Sequence, residues 1–93
     1  MRSGRRVSSH FFQLAVRPNT LLDSRLVFVV GRAVDKRAVV RNRLRRRAAE
    51  YIRTHLADIP AHCDIAVIIR KEAAAGRRSD FYDALKQILS RVR

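Results

Sequence analysis

Near the middle of the chain, Arg41-Asn42-Arg43-Leu44-Arg45-Arg46-Arg47 puts five guanidinium groups into about two helical turns. Arginine forms planar bidentate contacts to phosphate and stacks on bases, which lysine does not do. Asn42 interrupts the run with a neutral amide that both donates and accepts. From Lys36 to Arg53 there are eight basic residues and one acid, Glu50. One carboxylate cannot neutralise that surface by side-chain pairing along a helix. The chemistry this suggests is the gripping of a polyanion. Phe11 and Phe12 lie near Arg5, Arg6 and Arg17, and exposed aromatics among arginines can stack on unpaired bases. The plainer alternative is that one phenylalanine is core and the other partly exposed. His55, His62, Cys63 and Asp64 are close in sequence but lack structural zinc spacing, so they read as a chance cluster near a helix end and not as a metal site. Ser, His and Asp all occur, yet with no nucleophile elbow and no glycine-rich phosphate loop around them. The chain is expected to carry no catalytic residues of its own.

The elements that must position these groups follow from periodicity. Residues 7–17 alternate, with His10, Phe12, Leu14 and Val16 to one side and Phe11, Gln13, Ala15 and Arg17 to the other, which predicts a strand. Pro18-Asn19 ends it, and residues 19–24 make a hairpin-length connection. Residues 25–30 predict a second strand, antiparallel to the first and covered on both faces because it is apolar on both. Asp35 is a candidate N-cap. Val40, Leu44, Ala48, Tyr51, Ile52 and Leu56 then form one stripe, predicting a helix over 36–56 that Ile59-Pro60 stops. On this helix Arg41 and Arg45 fall on one shoulder of the stripe and Arg47 on the other, while Arg43, Arg46 and Arg53 face away. Residues 64–70 predict a central strand and 72–78 a loop containing Gly76. Ser79 is placed as the cap of a last helix buried through Phe81, Ala84, Leu85, Ile88, Leu89 and Val92. Asp80 and Asp83 in its first turn and Arg91 and Arg93 at its end suit the helix dipole. The order is β-β-α-β-α, with a parallel strand pair across the first helix, by default right-handed.

At 93 residues the chain is one small domain, 1–93, with a single thin core. Its apolar content of 47% supplies that core and is too high for a disordered tail. The longest apolar runs, 26–30 and 65–69, fall far below a membrane span of about 20 residues. The central stripe has the width to dock on a sheet, so a membrane-surface helix is set aside. The basic N-terminus lacks the apolar stretch of a targeting signal. One cysteine, Cys63, excludes an internal disulfide and fits a reducing cytoplasm. The net charge is +13, and residues 1–47 hold thirteen basic and two acidic side chains of the total. Such crowding opposes folding unless a polyanion is the partner.

Ala38-Val39-Val40-Arg41-Asn42-Arg43-Leu44-Arg45-Arg46 resembles the signature of the bacterial ribonuclease P protein component. Upstream, Gly4-Arg5-Arg6-Val7-Ser8-Ser9 with Phe11-Phe12 is similar to the family's first strand region, and Val29-Val30-Gly31-Arg32 to its approach to the arginine helix. Downstream, residues 64–70 followed by Lys71 resemble its last strand. The likeness runs from about Gly4 to Leu89. It implies an α+β fold, a small two-layer α/β sandwich like the second domain of ribosomal protein S5, with a rare left-handed crossover in place of the default hand.

The resemblance also implies a role. The family's protein binds a large catalytic RNA and helps it remove the 5′ leader of precursor tRNA, the RNA acting through Mg²⁺ that it mainly holds itself. By position, contacts to the catalytic RNA are expected from Arg41, Asn42, Arg43, Arg45 and Arg46. Leader binding is expected from Phe12 and Leu14, with Arg32 at the rim, and further basic contacts from Arg5, Arg6, Lys36 and Arg37. The expected partners are the catalytic RNA and precursor tRNA, with no membrane and no small-molecule substrate. The alternatives are a ribosomal or other structured-RNA-binding protein without part in catalysis, and a stand-alone nuclease, for which clustered acids are missing. The sequence departs from the family in three places. It starts after the family's usual N-terminal helix, so the fold is expected to lack that wall of the leader cleft. Gly31-Arg32-Ala33 stands where a Ser-Lys-Lys-like segment is usual, and Ala49 where an arginine is common.

Overall fold

Strand β4 (Cys63–Ile69) is apolar at nearly every position, and it takes the centre of a four-stranded mixed sheet ordered β1-β2-β4-β3. The computed structural model describes residues 4–20 and 24–92, together with the backbone alone at Asp58. Outside the described residues lie 1–3 of the basic N-terminus, the middle of the expected 19–24 connection, and Arg93 with its expected place at the helix dipole. Strands β1 (Arg5–Ser8) and β2 (Phe12–Pro18) form an antiparallel hairpin, where the alternation predicts a single strand over 7–17. The chain reverses at Ser9-His10-Phe11, where the Ser9 amide donates to the Phe12 carbonyl at 2.8 Å. Alternation is continuous through that sequence, so periodicity alone hides the turn.

Strand β3 (Arg25–Val30) does not pair with β2. It runs parallel to β4 at the far edge, and β4 separates the two strands expected to be neighbours. The parallel pair joined across a helix is present as expected. Opposite residues in paired strands share a face. Phe12, Leu14 and Val16 therefore stand beside Ile69, Val67 and Ile65, and those beside Val30, Phe28 and Leu26. This wall is buried, most tightly along β2 and β4.

Helix α1 (Ala38–Thr54) covers the wall over β3, burying Leu44, Ala48, Tyr51 and Ile52. Helix α3 (Arg78–Ser90) covers it over β2, burying Phe81, Leu85, Ile88 and Leu89, with Val92 just beyond. The two helices also touch each other, and Phe81 meets Phe12 edge to face at 4.9 Å between ring centroids. Such pairs add about 0.5–1.5 kcal/mol beyond burial. The result is the two-layer α+β sandwich, with both long helices on one face.

Several boundaries shift. Helix α1 starts at Ala38 with Arg37 as N-cap, and Asp35 instead takes the Arg37 amide on its carboxylate at 2.8 Å. The helix ends at Thr54, so Leu56, expected on the stripe, falls in a 3-10 turn and is exposed. The predicted 72–78 loop contains a short helix, α2 (Glu72–Ala75), whose Ala73 is buried. Helix α3 begins before Ser79, and the Asp80 carboxylate accepts the Arg77 amide. The opposite face of the sheet is uncovered among the described residues, and Val27 and Val29 are exposed on it. Strand β3 is thus apolar on both faces but covered on one.

Candidate nucleic-acid interface

The arginines of α1 divide by what they touch. Arg43 and Arg46 are exposed and make no hydrogen bond or ion pair among the described residues. They are three apart, so they sit on neighbouring positions of the outer helix face. Between them Arg45 donates from Nη1 to Asn42 Oδ1 at 2.6 Å. This leaves the Asn42 NH₂ and the rest of the Arg45 guanidinium to reach outward. Arg53 is held by Glu50 at 2.5 Å, and the guanidinium in turn lowers the Glu50 pKa through its hydrogen bond. Arg47 lies over the Phe81 ring at 5.3 Å and links α1 to α3. The helical-wheel expectation agrees with this burial: Arg41, Arg45 and Arg47 are half-buried, and Arg43, Arg46 and Arg53 exposed.

Arg41 is engaged differently. Its Nη1 donates to the Asp35 and Lys36 carbonyls at 2.9 and 2.8 Å. Arg37 pairs with Asp35 at 3.1 Å, and that hydrogen bond draws the Asp35 carboxyl down to about 2. Lys36 and Arg32 are exposed and unpaired among the described residues. Arg5 donates to the Val92 carbonyl at 2.7 Å and Arg91 to the Ser8 carbonyl at 2.8 Å, together tying β1 to the end of α3. Arg5 is thereby drawn into a structural contact, while Arg6 stays exposed on the open sheet face.

That open face is the second candidate surface. Across it run Arg6, Ala15, Ala66 and Val27 in one row, and Ser8, Gln13, Ile68 and Val29 in the next. Arg17, Asp64 and Arg25 form the row at one end. The facing alanines leave a depression of about 620 Å³, with Arg6, Arg17 and Arg25 around it. Asp64 orients Arg25 through two hydrogen bonds of 2.8 and 2.7 Å and also accepts from Asn19 at 2.8 Å. Those bonds, the one from Arg25 first, pull its carboxyl down to about 2. The floor is apolar and its edge cationic, a combination that suits single-stranded nucleic acid.

The expected leader residues Phe12 and Leu14 are not on this face. Both are fully buried under α3, at 0% exposure, and cannot touch a ligand. The neighbouring positions Gln13, Ala15 and Arg17 are the ones presented, which sequence reading missed as site residues. The signal was available, because a side carrying Gln, Ala and Arg is the less apolar of the two. Of the aromatic pair, Phe12 is core and Phe11 half-buried, its ring packed against Gly76. Arg32 lies just past the end of β3. The His55, His62, Cys63 and Asp64 cluster does not converge. His55 stacks on Tyr51 at 4.0 Å while Asp64 is engaged by Arg25.

The family model for Ribonuclease P matches residues 1–93. The chain belongs to the ribonuclease P protein family. The ribonuclease P protein component of Azoarcus sp. (strain BH72) is 34% identical over 88 residues, covering 95% of this chain and 72% of that protein. That of Thermotoga maritima is 34% identical over 90 residues, covering 96% and 76%. Among solved structures, the RNase P protein from Thermotoga maritima has a TM-score of 0.87 at 30% identity, covering 97% of this chain and 84% of that one. The Staphylococcus aureus RNase P protein has a TM-score of 0.89 at 25% identity, covering 97% and 82%. For the Mg²⁺ implied by this family, the protein's residues are a poor fit. Among the described residues no three carboxylate, imidazole or thiol groups converge, and Asp35, Glu50 and Asp64 are each engaged by an arginine. No helix among the described residues is long and apolar enough to cross a membrane.

Proposed function

We propose that this chain is the protein subunit of ribonuclease P, working with a catalytic RNA to remove the 5′ leader of precursor tRNA and leave the mature tRNA 5′ end. Arg43 and Arg46, with Asn42 and Arg45, grip the catalytic RNA from the outer face of α1. The open sheet face receives the single-stranded leader over Gln13, Ala15, Ala66, Val27 and Val29, with Arg6, Arg17 and Arg25 meeting its phosphates and Arg32 at the rim. The protein contributes binding and positioning, the RNA performs the cleavage, and the Mg²⁺ it needs stays on the RNA, in the cytoplasm where tRNA is matured.

The observation that carries this reading is the pair of exposed arginines on α1 without partners among the described residues, in a chain whose whole length matches the family. Reconstitution tests it. The protein is mixed with its host's catalytic RNA and a precursor tRNA at low Mg²⁺, and the expected result is a stimulated yield of mature 5′ ends. RNA binding without any stimulation of cleavage supports a structural RNA-binding protein instead. Cleavage by the protein with no added RNA supports a stand-alone nuclease.

A further inference from the structure

The entry into α1 has an unusual construction. The helix has no side-chain cap at Arg37 and no acid in its first turn. The preceding segment is instead fixed from both sides. From upstream, Asp35 accepts the Arg37 backbone amide at 2.8 Å and its guanidinium at 3.1 Å. From downstream, Arg41 reaches back past the N-cap, and a single nitrogen, Nη1, donates to two successive carbonyls, those of Asp35 and Lys36. That nitrogen carries two hydrogens, and both are engaged. The two carbonyls lie at the downstream end of the basic segment 31–37, which carries Arg32, Lys36 and Arg37, all exposed.

We infer that Arg41 is a positioning residue, the clamp that holds the basic segment 31–37 in register with α1, and not itself a phosphate contact. This rests on the RNA-binding reading above. Arg43 and Arg46 meet RNA directly, whereas Arg41 acts through the segment that carries Arg32, Lys36 and Arg37. Two arginines of one short motif thus have different work: helical spacing sets Arg41 on a shoulder of the helix and Arg43 outward, and the conformation of the preceding loop gives Arg41 its carbonyls.

The salt dependence of RNA affinity separates the two roles. Removing one arginine from a phosphate lowers the slope of log K against log[salt] by about 0.7–0.9. Binding of the full chain to its host's catalytic RNA is measured across a salt series. Arg43→Ala and Arg46→Ala are expected to weaken binding and flatten the slope by that amount. Arg41→Ala is expected to weaken binding by about tenfold with the slope unchanged. Arg41→Lys keeps the charge, but its ammonium ends one bond short of the guanidinium nitrogen, so it is expected to lose affinity as well. Should Arg41→Ala fail to fold, the lysine variant carries the test.

A second readout is independent of RNA. In the free protein the Val34 amide bonds to the Gly31 carbonyl and the Arg37 amide to Asp35. Hydrogen exchange at these two amides is expected to speed up in both Arg41 variants and to stay unchanged in Arg43→Ala. A slope flattened by Arg41→Ala as much as by Arg43→Ala, or full wild-type affinity in Arg41→Lys, overturns the inference. If Arg43→Ala and Arg46→Ala alter neither affinity nor slope, the RNA-binding face itself is wrong and the clamp falls with it.

Discussion

Arginine does several separate things among the described residues, and the partner decides which. Arg43 and Arg46 have none among the described residues, Arg41 and Arg5 hold backbone carbonyls, Arg25 and Arg53 meet carboxylates, and Arg47 covers an aromatic ring. Arg43→Ala and Arg46→Ala should therefore leave thermal stability nearly unchanged, since exposed substitutions away from special contacts stay within about 0.5 kcal/mol. Arg47→Ala should cost about 0.5–1 kcal/mol by giving up its place over Phe81, read as a fall in Tm of a few degrees. Gly76→Ala should also destabilise, by about 1–3 kcal/mol, because a Cβ there would come within 2.7 Å of the Phe11 ring. The backbone at Gly76 is extended, with φ −81°, so the penalty is steric, and Phe11→Leu should relieve part of it in a double-mutant melt. Much of this scale is legible in the sequence. Helical spacing alone turns Arg43, Arg46 and Arg53 outward. It cannot show that Arg41 binds carbonyls, because a backbone acceptor becomes available only through the conformation of the loop that offers it.

At the scale of elements, the strands and helices are readable but their pairing is not. Apolar runs and turn residues locate β3, β4, α1 and α3 to within a few residues. The hairpin turn at Ser9-His10-Phe11 contains no glycine or proline, so nothing interrupts the alternation. Which strands pair depends on burial across the whole sheet: β3 and β4 carry apolar runs of equal length, yet β4 lies between β2 and β3. The same ordering puts Asp64 between Arg17 and Arg25, which makes the end row of the open face sensitive to acid. The Asp64 carboxyl titrates at about 2 in the folded chain against an ordinary 3.8, so it is charged and bonded at neutral pH. Its contribution is complete above the unfolded value and fades as pH falls from about 4 toward 2. Asp64→Asn should accordingly lower Tm at pH 6 and lose that difference from the wild type by pH 2. A difference that persists at pH 2 would assign the effect to packing. The two faces of β2 offer a sharper contrast. Phe12→Ala should cost about 3–5 kcal/mol of stability, whereas Gln13→Ala should leave the melt alone and weaken leader binding.

Over the whole molecule, charge and fold oppose each other. A net charge of +13 on 93 residues, concentrated in the first half, favours expansion of the free chain. The ion pairs that resist this are exposed on the arginine side, and each is worth little in water. Salt should therefore act with opposite sign on two properties of the same protein. In the free chain it screens the repulsion among the excess arginines, and because unpaired positive charges outnumber paired ones, Tm should rise between about 20 and 200 mM salt as the Debye length falls below about 10 Å. Bound to RNA, the same salt competes with the arginines for phosphate. If six phosphates are neutralised, affinity should drop by about 10³ between 50 and 200 mM. A melt and a binding isotherm over one salt series measure both. A Tm that falls with salt would mean that the exposed ion pairs outweigh the repulsion, and that the surplus of arginine is not a burden on the unbound fold. A rising Tm with falling affinity would mean that RNA relieves the repulsion its own binding surface imposes, which couples the stability of the small core to occupation of the α1 face.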